Sequence, residues 1–191
     1  MFIKKDRYYI YLENLRSINT DSIKQGNKFN FIYRNHEKDE DIEYLIKFSK
    51  LCKKKNIKFF IYNDVALALK IDASGIYLPA HNKNYLKIGA NLRKKFDIIG
   101  SAHNFKEIDQ KKRQGCENIL LSRIFKTNYK NKKSFYGPVK FNLLTRNYKS
   151  NFIALGGIRS ENIKVLRIVN CKGIAFLSEA KKKPAIIRRL F

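Results

Sequence analysis

A chain of 191 residues, 44% of them hydrophobic and 13% aromatic, has the composition of a globular protein, long enough for one well-buried domain and short for two. It holds no apolar run of about 18 residues, so no membrane span is expected, and its opening M-F-I-K-K-D-R-Y-Y-I lacks the long apolar stretch of a secretion signal. The formal net charge of +25 comes mainly from short lysine clusters spread along the chain, in a composition rich in Lys, Asn and Ile, so they read as solvated faces and no base-specific nucleic-acid partner is expected.

Short β-rich runs recur about every 20–30 residues, with helical patterns between them. The pattern predicts strands over 8–12, 29–33, 58–62, 75–78, 97–101, 118–122, 151–155 and 173–177. After the second, residues 41–53 set Ile42, Leu45, Ile46, Phe48 and Leu51 largely on one helical face. Residues 65–69 read as a short apolar helix and 105–114 as a polar one. Residues 160–169 read as another amphipathic helix, with Ser160 as N-cap and Glu161 in the first turn. The one long connection, 123–136, is rich in Lys and Asn and reads as a mobile loop over a site. Eight strand–helix units predict a compact (β/α)8 TIM barrel, one domain over 1–191. An open doubly wound sheet is the alternative, without the G-x-G-x-x-G fingerprint that would support it. Cys52, Cys116 and Cys171 are odd in number and widely spaced, which suits buried, inert thiols in a reducing cytoplasm.

In such a barrel function sits where the strands end. The seventh strand stops on Gly156-Gly157, and the eighth runs through Leu177 to Ser178. Small residues at two adjacent strand ends bring bare N–H groups together, an arrangement that holds a phosphate. An ordinary tight turn is the plainer reading of Gly-Gly. The other predicted ends carry Arg34 and His36, Asn63 and Asp64, Asn82, Ser101 to Asn104, and Arg123 to Lys130. Asp64 is the single carboxylate among them, and one carboxylate opposite phosphate-binding groups is a usual way to hold Mg²⁺. Asn63-Asp64 reads equally well as a cap on the helix from Val65. Arg34 reads equally as a surface partner of Glu37 or Asp39, and His103 as a structural histidine. No histidine carries zinc-ligand spacing, and no serine or cysteine nucleophile sits beside a base.

The ordered set I-Y-N-D-V-A-L-A-L (61–69), A-S-G-I-Y-L (73–78), I-I-G-S-A-H-N (98–104), I-F-K-T-N-Y-K (124–130), A-L-G-G-I (154–158) and G-I-A-F-L-S (173–178) resembles the thiamine-phosphate synthase family, whose superfamily also contains the thiazole tautomerases. The chain looks like a divergent member. The resemblance implies a cytoplasmic (β/α)8 transferase of thiamine biosynthesis that joins hydroxymethylpyrimidine diphosphate to thiazole phosphate and releases pyrophosphate. Carried over by position, Arg34, Asn63 and Lys130 would contact the diphosphate, Arg34 and Lys130 as catalytic cations, and Asp64 would bind Mg²⁺. Ser101 would lie near the pyrimidine and Thr127 near the thiazole phosphate, with Gly156, Gly157, Leu177 and Ser178 forming the phosphate-binding backbone. The implied partners are phosphorylated small molecules, with no membrane, and a homo-oligomer is compatible with them. Departures from the family pattern are specific. Ile32 and His36 stand where Q-x-R-x-K expects an amide and a permanent cation around Arg34. Asn82 stands at a second metal carboxylate, which weakens the Mg²⁺ site; Ser122-Arg123 replaces G-P, and Tyr129 replaces a threonine. The tautomerases' catalytic histidine would fall at Arg123. A non-synthase member that binds or isomerises a phosphorylated thiazole, and a basic nucleic-acid-binding protein, are the alternative readings.

Overall fold

Runs such as Phe59-Phe60-Ile61 and Ile119-Leu120-Leu121 are apolar at consecutive positions, which a strand carries when both of its faces are covered. The computed structural model describes residues 7–23, 26–34, 41–85, 96–127 and 134–176. Eight parallel strands close in sequence order into one barrel. They are β1 (Arg7–Leu12), β2 (Phe29–Tyr33), β3 (Lys58–Tyr62), β4 (Gly75–Leu78), β5 (Asp97–Ala102), β6 (Asn118–Ser122), β7 (Asn151–Leu155) and β8 (Gly173–Phe176). The circle closes where Arg7 of β1 pairs with Gly173 of β8. The (β/α)8 architecture expected from the sequence is the one observed, and the strand bounds agree to within a residue.

Alternation along each strand divides the apolar residues between two cores. Tyr9, Ile32, Phe60, Tyr77, Ile99, Leu120 and Ile153 fill the barrel interior. Their neighbours, among them Ile10, Phe31, Phe59, Ile76 and Leu121, form the outer core beneath the helices. The described α-helices are α1 (Ile42–Lys54), α2 (Val65–Lys70), α3 (Phe105–Arg113) and α4 (Gly137–Thr145). Each of the first three is started by an Asp or Asn whose side chain accepts a backbone N–H: Asp41 from Glu43, Asp64 from Leu67 and Asn104 from Glu107. Among the described residues no helix is long and apolar enough to cross a membrane, and the three cysteines are buried thiols outside any disulfide.

Three local expectations are corrected. The buried stripe of α1 is Leu45, Phe48, Ser49 and Cys52, while Ile42 is exposed and Ile46 and Leu51 are half-buried. The stripe includes small polar Ser49 and Cys52, so an apolar pattern alone rotates it. Residues 160–169 form a 3-10 helix, Ile163–Ile168, instead of an α-helix capped by Ser160. Asn162 accepts from the Arg159 N–H and donates to the Gly157 carbonyl, and the Ser160 hydroxyl turns to Glu161. These local bonds compete with a first α-turn. Finally, α4 was not among the predicted elements, although Pro138 in its first turn is a helix-start signal.

Candidate active site

Parallel strands deliver the residues after their C-terminal ends to one rim. Arg34 follows β2, its N–H donating to the Leu12 carbonyl at 2.7 Å. Its guanidinium lies 5.2 Å from the centre of the Tyr62 ring, close enough for a cation–π contact. Tyr62 lies against Tyr77 at 5.7 Å, and Tyr77 meets Tyr11 edge-on at 5.6 Å. The Tyr11 hydroxyl donates to the Tyr77 hydroxyl at 2.9 Å. Burial pushes both phenols up, with Ser101 and Tyr11 holding Tyr77 back, so both are neutral at physiological pH. Ser101 itself is buried at the end of β5.

After β3 the chain turns through Asn63, whose φ of 52° is one that asparagine tolerates. Its N–H donates to the Tyr77 carbonyl at 2.9 Å, and its Oδ1 accepts from Asn82 Nδ2 at 2.5 Å. Asp64 Oδ1 accepts from the Leu67 N–H at 2.9 Å, which is the capping role read from the sequence. That bond leaves Oδ2 for another partner. His103 is held by its backbone: its N–H donates to Glu107, its carbonyl accepts from the Tyr136 hydroxyl, and its Nδ1 lies 3.1 Å from the Ser122 carbonyl.

The chain leaving β6 is laced to the chain leaving β7. Ile124 N–H donates to Leu155 and Phe125 N–H to Gly156, at 3.0 and 3.1 Å. Arg123 donates to the Thr127 hydroxyl at 2.7 Å and to the Ser134 carbonyl at 2.6 Å, so one guanidinium ties both described ends of this connection. Gly156 and Gly157 have φ of 96° and 69°. A Cβ on Gly156 would come 2.8 Å from Arg123 Cγ, and one on Gly157 would come 2.5 Å from the Phe125 and Lys126 carbonyl oxygens. On the side where a Cβ would stand, both glycines are packed by the loop after β6.

Arg34, Asn63, Asp64, Ser101, Thr127, Gly156 and Gly157 thus all lie at the C-terminal strand ends, with direct contacts inside Arg123–Thr127–Gly156 and through Asn63–Asn82. Lys130, Leu177 and Ser178 lie outside the described residues, as do His36 and Tyr129. Sequence reasoning missed three participants. Arg123 carries no motif for its bond to Thr127. The tyrosine cluster was legible in principle, since Tyr11, Tyr62 and Tyr77 all occupy inward phases of predicted strands. Lys111 was read as a solvated lysine yet is completely buried.

A family model described as thiamine monophosphate synthase matches residues 5–180. The thiamine-phosphate synthase of Prochlorococcus marinus strain AS9601 is 32% identical over 143 residues, covering 74% of this chain and 40% of that protein. Thiamine-phosphate synthase 1 of Streptococcus pneumoniae strain R6 is 28% identical over 144 residues, covering 73% of this chain and 67% of that one. The chain therefore spans 37–40% of the length of the Prochlorococcus relatives it matches. The solved thiamine phosphate pyrophosphorylase from Pyrococcus furiosus superposes with a TM-score of 0.67 over 91% of this chain and 86% of that one, at 18% identity, a likeness of fold. Since the family match runs through all eight strands, this chain belongs to the thiamine monophosphate synthase family.

Proposed function

We propose that this chain joins hydroxymethylpyrimidine diphosphate to thiazole phosphate and releases pyrophosphate. The supporting observation is the convergence of Arg34, Asn63, Asp64 and Thr127 on one barrel rim in a member of this family. The C–O bond to the diphosphate breaks with its electron pair leaving on pyrophosphate, and the thiazole nitrogen lone pair forms the new C–N bond. The barrier lies in charge developing on the departing group, so groups that meet it there accelerate the step. Arg34, oriented by the Tyr62 ring, takes that role, and Lys130 is assigned the same role by its match to the family motif. Asn63 orients the diphosphate through its amide, and buried Ser101 faces the pyrimidine beside Tyr77. Thr127, with the backbone of Gly156, Gly157, Leu177 and Ser178, receives the thiazole phosphate.

The donors suit Mg²⁺ in a limited way. Asp64 keeps Oδ2 after capping α2, and Mg²⁺ is commonly held by one or two carboxylates together with substrate phosphates. Among the described residues no group of three or more His, Cys, Asp or Glu could hold a metal ion, so in this reading the substrate's diphosphate would supply further oxygens beside Asp64. Asn82, an amide engaged with Asn63, adds no charge. When bound, Mg²⁺ supplies neutralisation of the leaving pyrophosphate.

The test is to mix purified protein with both precursors and Mg²⁺ and look for thiamine phosphate and pyrophosphate. One observation favours a second reading, a member that binds a phosphorylated thiazole without joining it: Ile32 is completely buried in the apolar interior and presents no polar group to a pyrimidine. Tight binding of thiazole phosphate with no product formed would select that reading.

A further inference from the structure

Lys111 is the least expected residue of the fold. It sits on α3 within the run Lys111-Lys112-Arg113, yet it has no solvent exposure. Gly100 makes room for it: a Cβ there would come 2.8 Å from Lys111 Cδ and 2.9 Å from Cys116 Sγ. The lysine stem thus runs along a β5 position without a side chain. At its tip Nζ donates to the Asn82 carbonyl and to Gln114 Oε1, both at 2.8 Å. Gln114, also buried, donates from Nε2 to the carbonyls of Asn82 at 3.1 Å and Asn84 at 2.7 Å. Both acceptors of the ammonium are neutral, so no bonded carboxylate cancels its charge. Burying an ammonium is costly unless its donors are met, and a solvated position would be cheaper for a lysine with no structural task.

The task follows from where the bonds lead. Asn82 is the residue whose amide donates to Asn63 Oδ1, beside Asp64 on the rim. We infer that Lys111 is a positioning residue: from beneath the rim it anchors the Asn82 carbonyl, and through the Asn82–Asn63 amide contact it sets the polar edge that receives the substrate's diphosphate. The diphosphate half of this statement rests on the proposed function; the anchoring half does not. Hydrogen bonds of this kind hold a group at the distance its ligand needs, and misplacement by about 1 Å can cost on the order of a hundredfold in rate.

The experiment compares wild type with Lys111→Met, which keeps the stem and removes the ammonium. A second variant, Gln114→Met, cuts the other tie if the first fails to fold. Amide exchange should show protection lost in the segment 79–85 and retained in β1 to β8. Calorimetry with Mg²⁺ and pyrophosphate should show affinity falling roughly tenfold or more. In turnover, KM for the diphosphate substrate should rise while KM for thiazole phosphate stays unchanged, a split that general destabilisation does not produce. The inference is overturned if protection of 79–85 matches wild type in a folded variant, or if exchange quickens evenly round the barrel. A wild-type protein that makes no thiamine phosphate sinks the synthase reading alone, because the exchange comparison decides the anchoring without turnover.

Discussion

Asp64 performs two jobs with two oxygens, and substitutions can part them. One oxygen caps α2, and the charge is what the proposed chemistry uses. Asp64→Asn should keep the cap, since asparagine caps as well as aspartate, and so leave urea stability nearly unchanged. Its synthase turnover should nonetheless drop about a hundredfold, the effect of removing one preorganised electrostatic group. Asp64→Ala should lose both, with about 1 kcal/mol of stability gone as well. Lys130→Ala should lower turnover by a similar factor. If the Asn variant and Lys130→Ala both turn over like wild type, the assigned roles are wrong. Buried thiols give a separate prediction at this scale. Burial pushes Cys52 and Cys116 from 9.0 up to about 12, so unfolding releases their protons at alkaline pH. Their stability contribution is complete below the unfolded thiol pKa and is lost as pH rises from there toward 12. Each thiol should cost about 1–2 kcal/mol by pH 10. Urea unfolding at pH 8 and pH 10 should show Cys52→Ala losing less than wild type over that interval.

The connection after β6 is the element on which the rim depends most visibly. Arg123 ties Thr127 to Ser134, and the backbone of 124–125 bonds to 155–156. Gly157 packs directly against the Phe125 and Lys126 backbone of that loop. Its positive φ alone makes a side chain cost about 1–2 kcal/mol, and the two carbonyl oxygens 2.5 Å from a Cβ add a backbone collision that cannot relax by a rotamer change. Gly157→Ala should therefore destabilise the protein by about 2–4 kcal/mol and weaken thiazole phosphate binding by displacing the loop that carries Thr127. Denaturant titration and calorimetry on the same samples check it. A variant as stable as wild type that still fails to bind would show that the glycine faces the ligand instead of the loop.

Across the whole molecule the question is the charge of +25. Among the described residues Lys53 pairs with Asp72 and Lys55 with Asp21, whose carboxylates are exposed, and Lys58 with the half-buried Asp97. Such pairs contribute little to stability. Solvated lysines spread over a barrel should bind DNA or RNA weakly, without base preference, and with affinity falling steeply between roughly 50 and 200 mM salt. Filter binding at several salt concentrations tests this, and submicromolar, base-selective binding at physiological salt would promote the nucleic-acid reading.

The eight strands were readable from the chain itself because each carries its own signal: a short apolar run of about four to six residues bounded by polar or turn-forming ones. Once eight such runs alternate with helices, closure brings Arg34, Asn63, Asp64 and Thr127 to one rim, so the location of the candidate site was legible too. Side-chain partners were not. Lys111 and Lys112 are adjacent and chemically identical; Lys111 shares the helical face of buried Ile108, and Gly100, distant in sequence and adjacent in space, leaves room for its stem to be buried there. Gly156 and Gly157 announce a close approach, but whether a ligand or the loop after β6 makes it depends on contacts across two strands. The α1 stripe and the 3-10 helix Ile163–Ile168 failed for the same reason, one through its small buried residues and the other through Asn162 reaching back to Gly157. Periodicity determines elements because it is local; partners are settled by packing, which sums contacts between residues the sequence keeps far apart.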